Sequence, residues 1–107
     1  MTATSGPGAS LMMEAFSLAG MTETPVVIAH VQRLGPATGV PTKTQQEDVL
    51  QWIFGSHGEF PRIVLAPGTV NECFDLTVQA FNLAEKYQCP VIILTELDMG
   101  QNFRTSP

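Results

Sequence analysis

The chain has 107 residues, a hydrophobic content of 44% and only 14% charged residues, which allows one small domain with a single core. The low charge indicates that a partner covers part of the surface, so we expect an oligomer or a larger assembly. The net charge of −5 argues against nucleic-acid or anionic-membrane binding, and no apolar run approaches the ~18–20 residues of a spanning helix.

The segment Thr4–Gly8, with the sequence TSGPG, is typical of a tight turn between a strand and a helix. Only a strand stub, Met1–Thr4, precedes it, so we expect a fold that lacks its first strand and helix. A glycine-rich turn that opens a helix presents free N–H groups to a ligand. This turn has neither the lysine of a P-loop nor the spacing of a dinucleotide fingerprint, so a purely structural role remains an alternative.

Three apolar runs predict buried strands, at Val26–Val31, Arg62–Ala66 and Val91–Thr95. Strands that alternate with helices predict an α/β fold, with three layers in which helices cover both faces of a parallel sheet. We assign residues 1–96 to this domain and residues 97–107 to a linker toward a following domain. His30 lies inside the first strand, where an interior residue with a hydrogen-bond partner is commoner than a catalyst.

Two T-x-x-E sequences predict helix starts, because a threonine followed by a glutamate at this spacing forms a capping box. Thr44 and Glu47 predict a helix that ends at Gly55, with Trp52 off its inner face. Thr69 and Glu72 predict a second helix, which runs to about Gln88. The predicted inner faces are Val49, Leu50, Ile53 and Phe54 in the first helix, and Cys73, Leu76, Thr77, Ala80, Leu83, Ala84 and Tyr87 in the second.

The loop that follows the Val26–Val31 strand is locally basic. Arg33 and Lys43 are two of five basic residues in the chain, and no acid lies between Glu23 and Glu47. Ligands of α/β proteins bind at the carboxyl ends of strands, and this loop leaves such an end. The sequence therefore predicts a site for a carboxylate or phosphate here, with an ordinary solvated loop as the alternative.

Cys73 and Cys89 fit neither a disulfide framework nor a metal site. We expect them to be reduced thiols in the core of a cytoplasmic protein.

Two strings carry a family resemblance: TATSGPGASLMMEAFSLAGMTETPVVIAHVQRLGPATGVPTKTQQEDVLQ and FPRIVLAPGTVNECFDLTVQAFNLAEKYQCPVIILTE. They resemble the alpha subunit of 2-oxoacid:ferredoxin oxidoreductases, nearest to the 2-oxoglutarate type. The matched part, Thr2–Glu96, is similar to the pyrimidine-binding domain of thiamine-diphosphate enzymes. The resemblance implies oxidative decarboxylation of a 2-oxoacid to acyl-CoA, CO₂ and reduced ferredoxin.

The resemblance also implies roles for individual residues. Arg33 matches the arginine that faces the substrate carboxylate, which agrees with the ability of a guanidinium to bind a carboxylate through two parallel hydrogen bonds. The cofactor-proximal turn is Ser5, Gly6, Pro7 and Gly8, beside the pyrimidine ring of thiamine diphosphate. Thr42 and Lys43 match the family's loop without a defined role.

Other parts of the reaction are expected outside this sequence. The family's activating glutamate lies upstream of the TSGPG turn, and the motif that binds magnesium and diphosphate is expected on a beta subunit. The resemblance implies that coenzyme A and ferredoxin belong to the full assembly. The iron–sulfur clusters belong there too, because two separated cysteines cannot hold a cluster. We therefore expect no catalytic or metal-binding residue in this chain and no activity of the chain alone. The alternatives are another thiamine-diphosphate enzyme, such as a carboligase, and a non-catalytic α/β interaction module.

Overall fold

The structure, a computed structural model, describes residues 1–106. Its elements, in chain order, are β1 (Thr2–Ser5), α1 (Gly8–Met21), β2 (Val26–Gln32), α2 (Val49–Phe54), β3 (Ile63–Leu65), α3 (Val70–Tyr87), β4 (Pro90–Glu96) and α4 (Leu97–Gln101). Within this range the strands form one sheet in the order β1-β2-β4-β3, and every neighbouring pair is parallel. The predicted parallel α/β fold is confirmed.

Helices cover both faces of this sheet, as the three-layer prediction requires. Because side chains alternate along a strand, Ile28 and Ile92 pack with Phe16 of α1 and Trp52 of α2. Their neighbours in the strands face the other way and pack against α3; they are Val27, Val91 and Ile93. The central strands β2 and β4 are thus covered on both faces, and because the described strands are parallel, their carboxyl ends lie at one edge of the sheet.

The prediction for α2 was wrong in its start and in its buried face. The helix begins at Val49 with Asp48 as its N-cap residue, because Thr44 and Glu47 bond elsewhere. The Thr44 hydroxyl donates to Glu96 at 3.0 Å, and a carboxylate oxygen of Glu47 accepts from the N–H of Gly35 at 2.6 Å.

With this start, the indole of Trp52 points inward and is fully buried. The side chains predicted to face the core are instead exposed, by 38% to 75%; they are Val49, Leu50, Ile53 and Phe54. The largest apolar side chain available to the helix occupies the core position.

The second capping box is confirmed. The Thr69 hydroxyl accepts from the N–H of Glu72, whose carboxylate accepts from the N–H of Thr69. The buried side of α3 carries Ala80 and Ala84, but Tyr87, predicted on the same face, is exposed.

The segment expected to be a linker starts with a short helix. α4 follows β4 directly, and the Cys73 thiol of α3 lies 3.1 Å from the thioether sulfur of Met99. The division between a domain and a linker at residue 96 stays a prediction. The last residue of the predicted linker, Pro107, lies outside the described residues. No helix within residues 1–106 is long and apolar enough to cross a membrane.

Candidate functional site

The candidate site lies where β1 and β2 end side by side. Ser5 pairs with Val31 in the parallel register, and the N–H of Gly6 donates to the carbonyl of Val31 at 3.3 Å. This pairing brings the β1–α1 turn next to the residue that begins the basic loop, Arg33. The structure therefore unites two segments that are separated by α1 in the sequence.

The turn depends on glycine at two positions. Gly6 has a φ of +52°, a left-handed conformation that L-residues rarely adopt, and a Cβ atom there would lie 2.5 Å from Nε of Arg33. A Cβ atom at Gly8 would collide with the hydroxyl of Thr4. Close packing of the turn against the Arg33 side chain thus requires the absence of a side chain at Gly6.

Within residues 1–106, the hydrogen bonds of the Arg33 guanidinium are long. Nη1 lies 3.5 Å from the hydroxyl of Ser5, and Nη2 lies 3.3 Å from the carbonyl oxygen of Thr38. Nε is buried and has no partner among residues 1–106. A guanidinium carries five N–H donors in a planar fork, so each Nη group keeps a second N–H that can donate to an external acceptor.

The rest of the basic loop folds back on itself. The N–H of Leu34 donates to the carbonyl of Lys43 at 2.9 Å, and the N–H of Val40 donates to the carbonyl of Leu34 at 2.9 Å. Thr42 and Lys43 are exposed and line a shallow depression with Leu97 and other residues of α4. The structure therefore places Arg33 on the β1–α1 turn, whereas Lys43 lies beside α4.

Three polar residues of this region were missed or only partly foreseen. His30 is fully buried, and its Nε2 lies 2.8 Å from Oδ2 of Asp48. The side-chain oxygen of Gln32 accepts from the N–H of Asp48 at 3.0 Å. The partner expected for His30 is thus present on one ring nitrogen. The sequence could have indicated this bond, because a buried histidine needs a hydrogen-bond partner and Asp48 is an acid directly before an apolar helix.

Next to this site, a cavity of about 320 Å³ opens at the carboxyl ends of β2, β3 and β4. Gln32, Leu94 and Met99 are among its lining residues. Among residues 1–106, no group of three or more His, Cys, Asp or Glu side chains is placed to hold a metal ion.

Both cysteines are free thiols. Burial raises the pKa of the Cys89 thiol, and burial together with the negative charge of Glu72 raises the pKa of Cys73. A raised pKa keeps a thiol protonated and unreactive. The cysteines therefore act as apolar packing groups.

Comparison with known proteins identifies the family. Residues 1–105 match the family described as "Pyruvate flavodoxin/ferredoxin oxidoreductase, thiamine diP-bdg". The chain is 56% identical over 100 residues to 2-oxoglutarate synthase subunit KorA of Methanothermobacter marburgensis, and this match covers 94% of the chain and 27% of that subunit. It is 55% identical over 106 residues to 2-oxoacid:ferredoxin oxidoreductase 1, subunit alpha, of Sulfurisphaera tokodaii, covering 99% of the chain and 17% of that subunit.

A solved structure is also similar, that of the 2-oxoglutarate:ferredoxin oxidoreductase from Magnetococcus marinus with 2-oxoglutarate, coenzyme A and succinyl-CoA bound. The TM-score is 0.87 at 54% identity, over 90% of this chain and 17% of that one. The chain thus spans less than a third of the length of these relatives. The resemblance carried by the TSGPG and VQRLGPATGVPTKT strings is confirmed, and the chain belongs to the thiamine diphosphate-binding family of the pyruvate flavodoxin/ferredoxin oxidoreductases.

Proposed function

We propose that this chain forms part of the catalytic subunit of a 2-oxoacid:ferredoxin oxidoreductase, which converts a 2-oxoacid and coenzyme A to acyl-CoA, CO₂ and reduced ferredoxin. The names of the relatives support this proposal, since they are subunits of 2-oxoglutarate synthase and of 2-oxoacid:ferredoxin oxidoreductase. The solved relative has 2-oxoglutarate, coenzyme A and succinyl-CoA bound. Activity is a property of the oligomeric assembly with its beta subunit and ferredoxin. The free thiols are consistent with a cytoplasmic enzyme.

The β1–α1 turn fits one side of a bound aromatic ring. Gly6, Pro7 and Gly8 carry no polar side chain, so the turn presents backbone and a proline ring, with the Ser5 hydroxyl at its start. We assign Ser5–Gly8 to the surface beside the cofactor's pyrimidine. The chemistry that thiamine diphosphate supplies when bound is a carbon nucleophile for the 2-oxo group and a sink for the electrons left by CO₂. Mg²⁺ and the diphosphate are assigned to the beta subunit, and the iron–sulfur cluster to the assembly.

Arg33 carries the proposal. A buried N–H donor without a partner is costly, and Nε of Arg33 has none within residues 1–106. The two Nη groups make only long hydrogen bonds within that range, of 3.5 Å and 3.3 Å, and a substrate carboxylate can accept two parallel hydrogen bonds from them. The residue binds and orients the 2-oxoacid from the side of the turn. Thr42 and Lys43 are assigned to the same site loop without a defined role.

The test is substrate kinetics of the assembled enzyme that carries Arg33→Lys, with ferredoxin reduction as the readout and 2-oxoglutarate and pyruvate as substrates. A lysine replaces the bidentate fork with a point charge. We expect kcat/KM to fall by a factor of about 10–100, because a hydrogen bond to a charged group contributes about 1.5–3 kcal/mol. The matched control is Lys86→Gln, which removes an exposed positive charge from α3 and should leave kcat/KM unchanged.

Three results would contradict the proposal. Unchanged kcat/KM in Arg33→Lys would remove Arg33 from the site. Release of CO₂ without ferredoxin reduction would favour another thiamine-diphosphate enzyme, such as a carboligase. Absence of any thiamine-diphosphate-dependent turnover in the wild-type assembly would favour a non-catalytic interaction module.

A further inference from the structure

Two side chains of β2 hold the residue that precedes α2. His30 and Gln32 are two positions apart on the strand, so they point to the same face. Nε2 of His30 lies 2.8 Å from Oδ2 of Asp48, and the side-chain oxygen of Gln32 accepts from the N–H of Asp48 at 3.0 Å. Asp48 is thus fixed through both its carboxylate and its backbone. We call these three residues the His30–Asp48 clamp.

The clamp is set in the core. His30 is fully buried, and its ring packs against the indole of Trp52 with 5.4 Å between the ring centroids. Its Nδ1 has no partner among residues 1–106, so within that range the bond to Asp48 is what offsets the burial of a polar ring. Rotation of either side chain would leave a buried polar group unpaired. The contact between β2 and the N-cap of α2 is therefore rigid.

The clamp closes the loop that carries the proposed substrate-binding residue. Arg33 follows Gln32 directly, and the loop ends at Asp48, so both ends of the loop are anchored to the end of one strand. Inside the loop, the N–H of Gly35 donates to Glu47 at 2.6 Å. The hydrogen bonds of the Arg33 guanidinium are long, at 3.3 Å and 3.5 Å. Its placement therefore depends on the backbone of the loop and on packing against Gly6 more than on its hydrogen bonds.

We propose that His30 is a positioning residue: through Asp48 it holds the Arg33–Glu47 loop closed, so that the Arg33 guanidinium is already oriented when a 2-oxoacid arrives. This inference rests on the proposed function, because it assigns a further residue to the same site. Ordering of a binding group before the ligand arrives removes an entropic cost from binding. Loss of the clamp should thus weaken substrate binding more than it slows the chemical step.

The test uses the assembled enzyme with His30→Leu, which removes the bond to Asp48, and His30→Gln, whose amide N–H can replace Nε2. We expect His30→Leu to raise the KM for the 2-oxoacid about tenfold with a smaller change in kcat, since misplacement of a binding group by about 1 Å is costly. His30→Gln should recover most of this loss. His57→Leu is the matched control, because His57 is exposed and lies outside the loop.

Amide hydrogen exchange gives a readout that is independent of turnover. The N–H groups of Leu34, Val40 and Lys43 donate within the loop at 2.9–3.0 Å, and in His30→Leu their exchange should be at least about ten times faster. Exchange at Ile92 in the centre of β4 should not change. If His30→Leu does not fold, Asp48→Ala tests the same bond from the other partner, whose side chain is 18% exposed.

The outcomes separate the two proposals. Faster exchange confined to the loop, with a raised KM that His30→Gln restores, supports the clamp. Unchanged loop exchange overturns it. Faster exchange that extends to Ile92 in both His30→Leu and Asp48→Ala also overturns it, because His30 would then act through global stability. If the wild-type assembly has no 2-oxoacid turnover, the proposed function fails, and loop exchange alone still decides whether the clamp holds the loop.

Discussion

Substitution of Trp52 by alanine tests the orientation of α2, where the structure reversed the sequence-based prediction. The side chain is fully buried, and its ring meets that of Phe16 edge-on, with 5.3 Å between centroids. A buried aromatic side chain removes about 150–250 Å² from water, which at about 25 cal/mol per Å² corresponds to about 5 kcal/mol. The indole Nε1 has no partner among residues 1–106, and its removal offsets about 1–2 kcal/mol of this loss.

We therefore expect Trp52→Ala to lower the free energy of unfolding by about 3–4 kcal/mol, a large share of the ~5–15 kcal/mol that stabilises a typical domain. The matched control is Phe54→Ala, two residues along the same helix, whose side chain is 75% exposed. It should cost less than about 1 kcal/mol. Urea unfolding followed by far-UV circular dichroism is the suitable assay, because Trp52 is the only tryptophan in the chain. A loss in Phe54→Ala equal to that in Trp52→Ala would refute the orientation.

Three further predictions concern the turn, the second capping box and a thiol. Gly6→Ala should destabilise the protein by about 1–2 kcal/mol through its left-handed φ and should also reduce 2-oxoacid turnover of the assembled enzyme by displacing Arg33. Gly58→Ala, with a φ of +74° but no atom within 4 Å, should show only the strain, and equal activity of the two assembled variants would contradict the packing of Arg33 on Gly6. Thr69→Ala should lower the free energy of unfolding by about 1 kcal/mol in thermal denaturation, and Thr44→Ala, which is not a cap, by less. Since burial and Glu72 raise the pKa of Cys73, its alkylation by iodoacetamide should accelerate at higher pH than that of free cysteine, and acceleration at lower pH would be inconsistent with this environment.

The order of elements, the parallel sheet and the family were accessible from the sequence. Continuous apolar runs such as Val26–Val31 indicate strands buried on both faces, and such strands alternating with helices can pair in parallel through crossovers. The capping box at Thr69 and Glu72 was predicted correctly because both partners lie within one turn of α3. Arg33 was singled out from its sequence alone, by its charge and by its place after a strand.

Only the tertiary structure decided what α2 buries and what surrounds Arg33. Thr44 and Glu47 have the same T-x-x-E spacing as the correct box, but the Thr44 hydroxyl donates to Glu96 and the Glu47 carboxylate accepts from Gly35. Local spacing gives no information about such distant partners. The same holds for the bond between His30 and Asp48, eighteen positions apart, and for the packing of Arg33 on Gly6. Local hydrogen bonds and periodicity depend on residues that are close in sequence. The register between strands and the competition for hydrogen-bond partners arise only when the sheet has assembled.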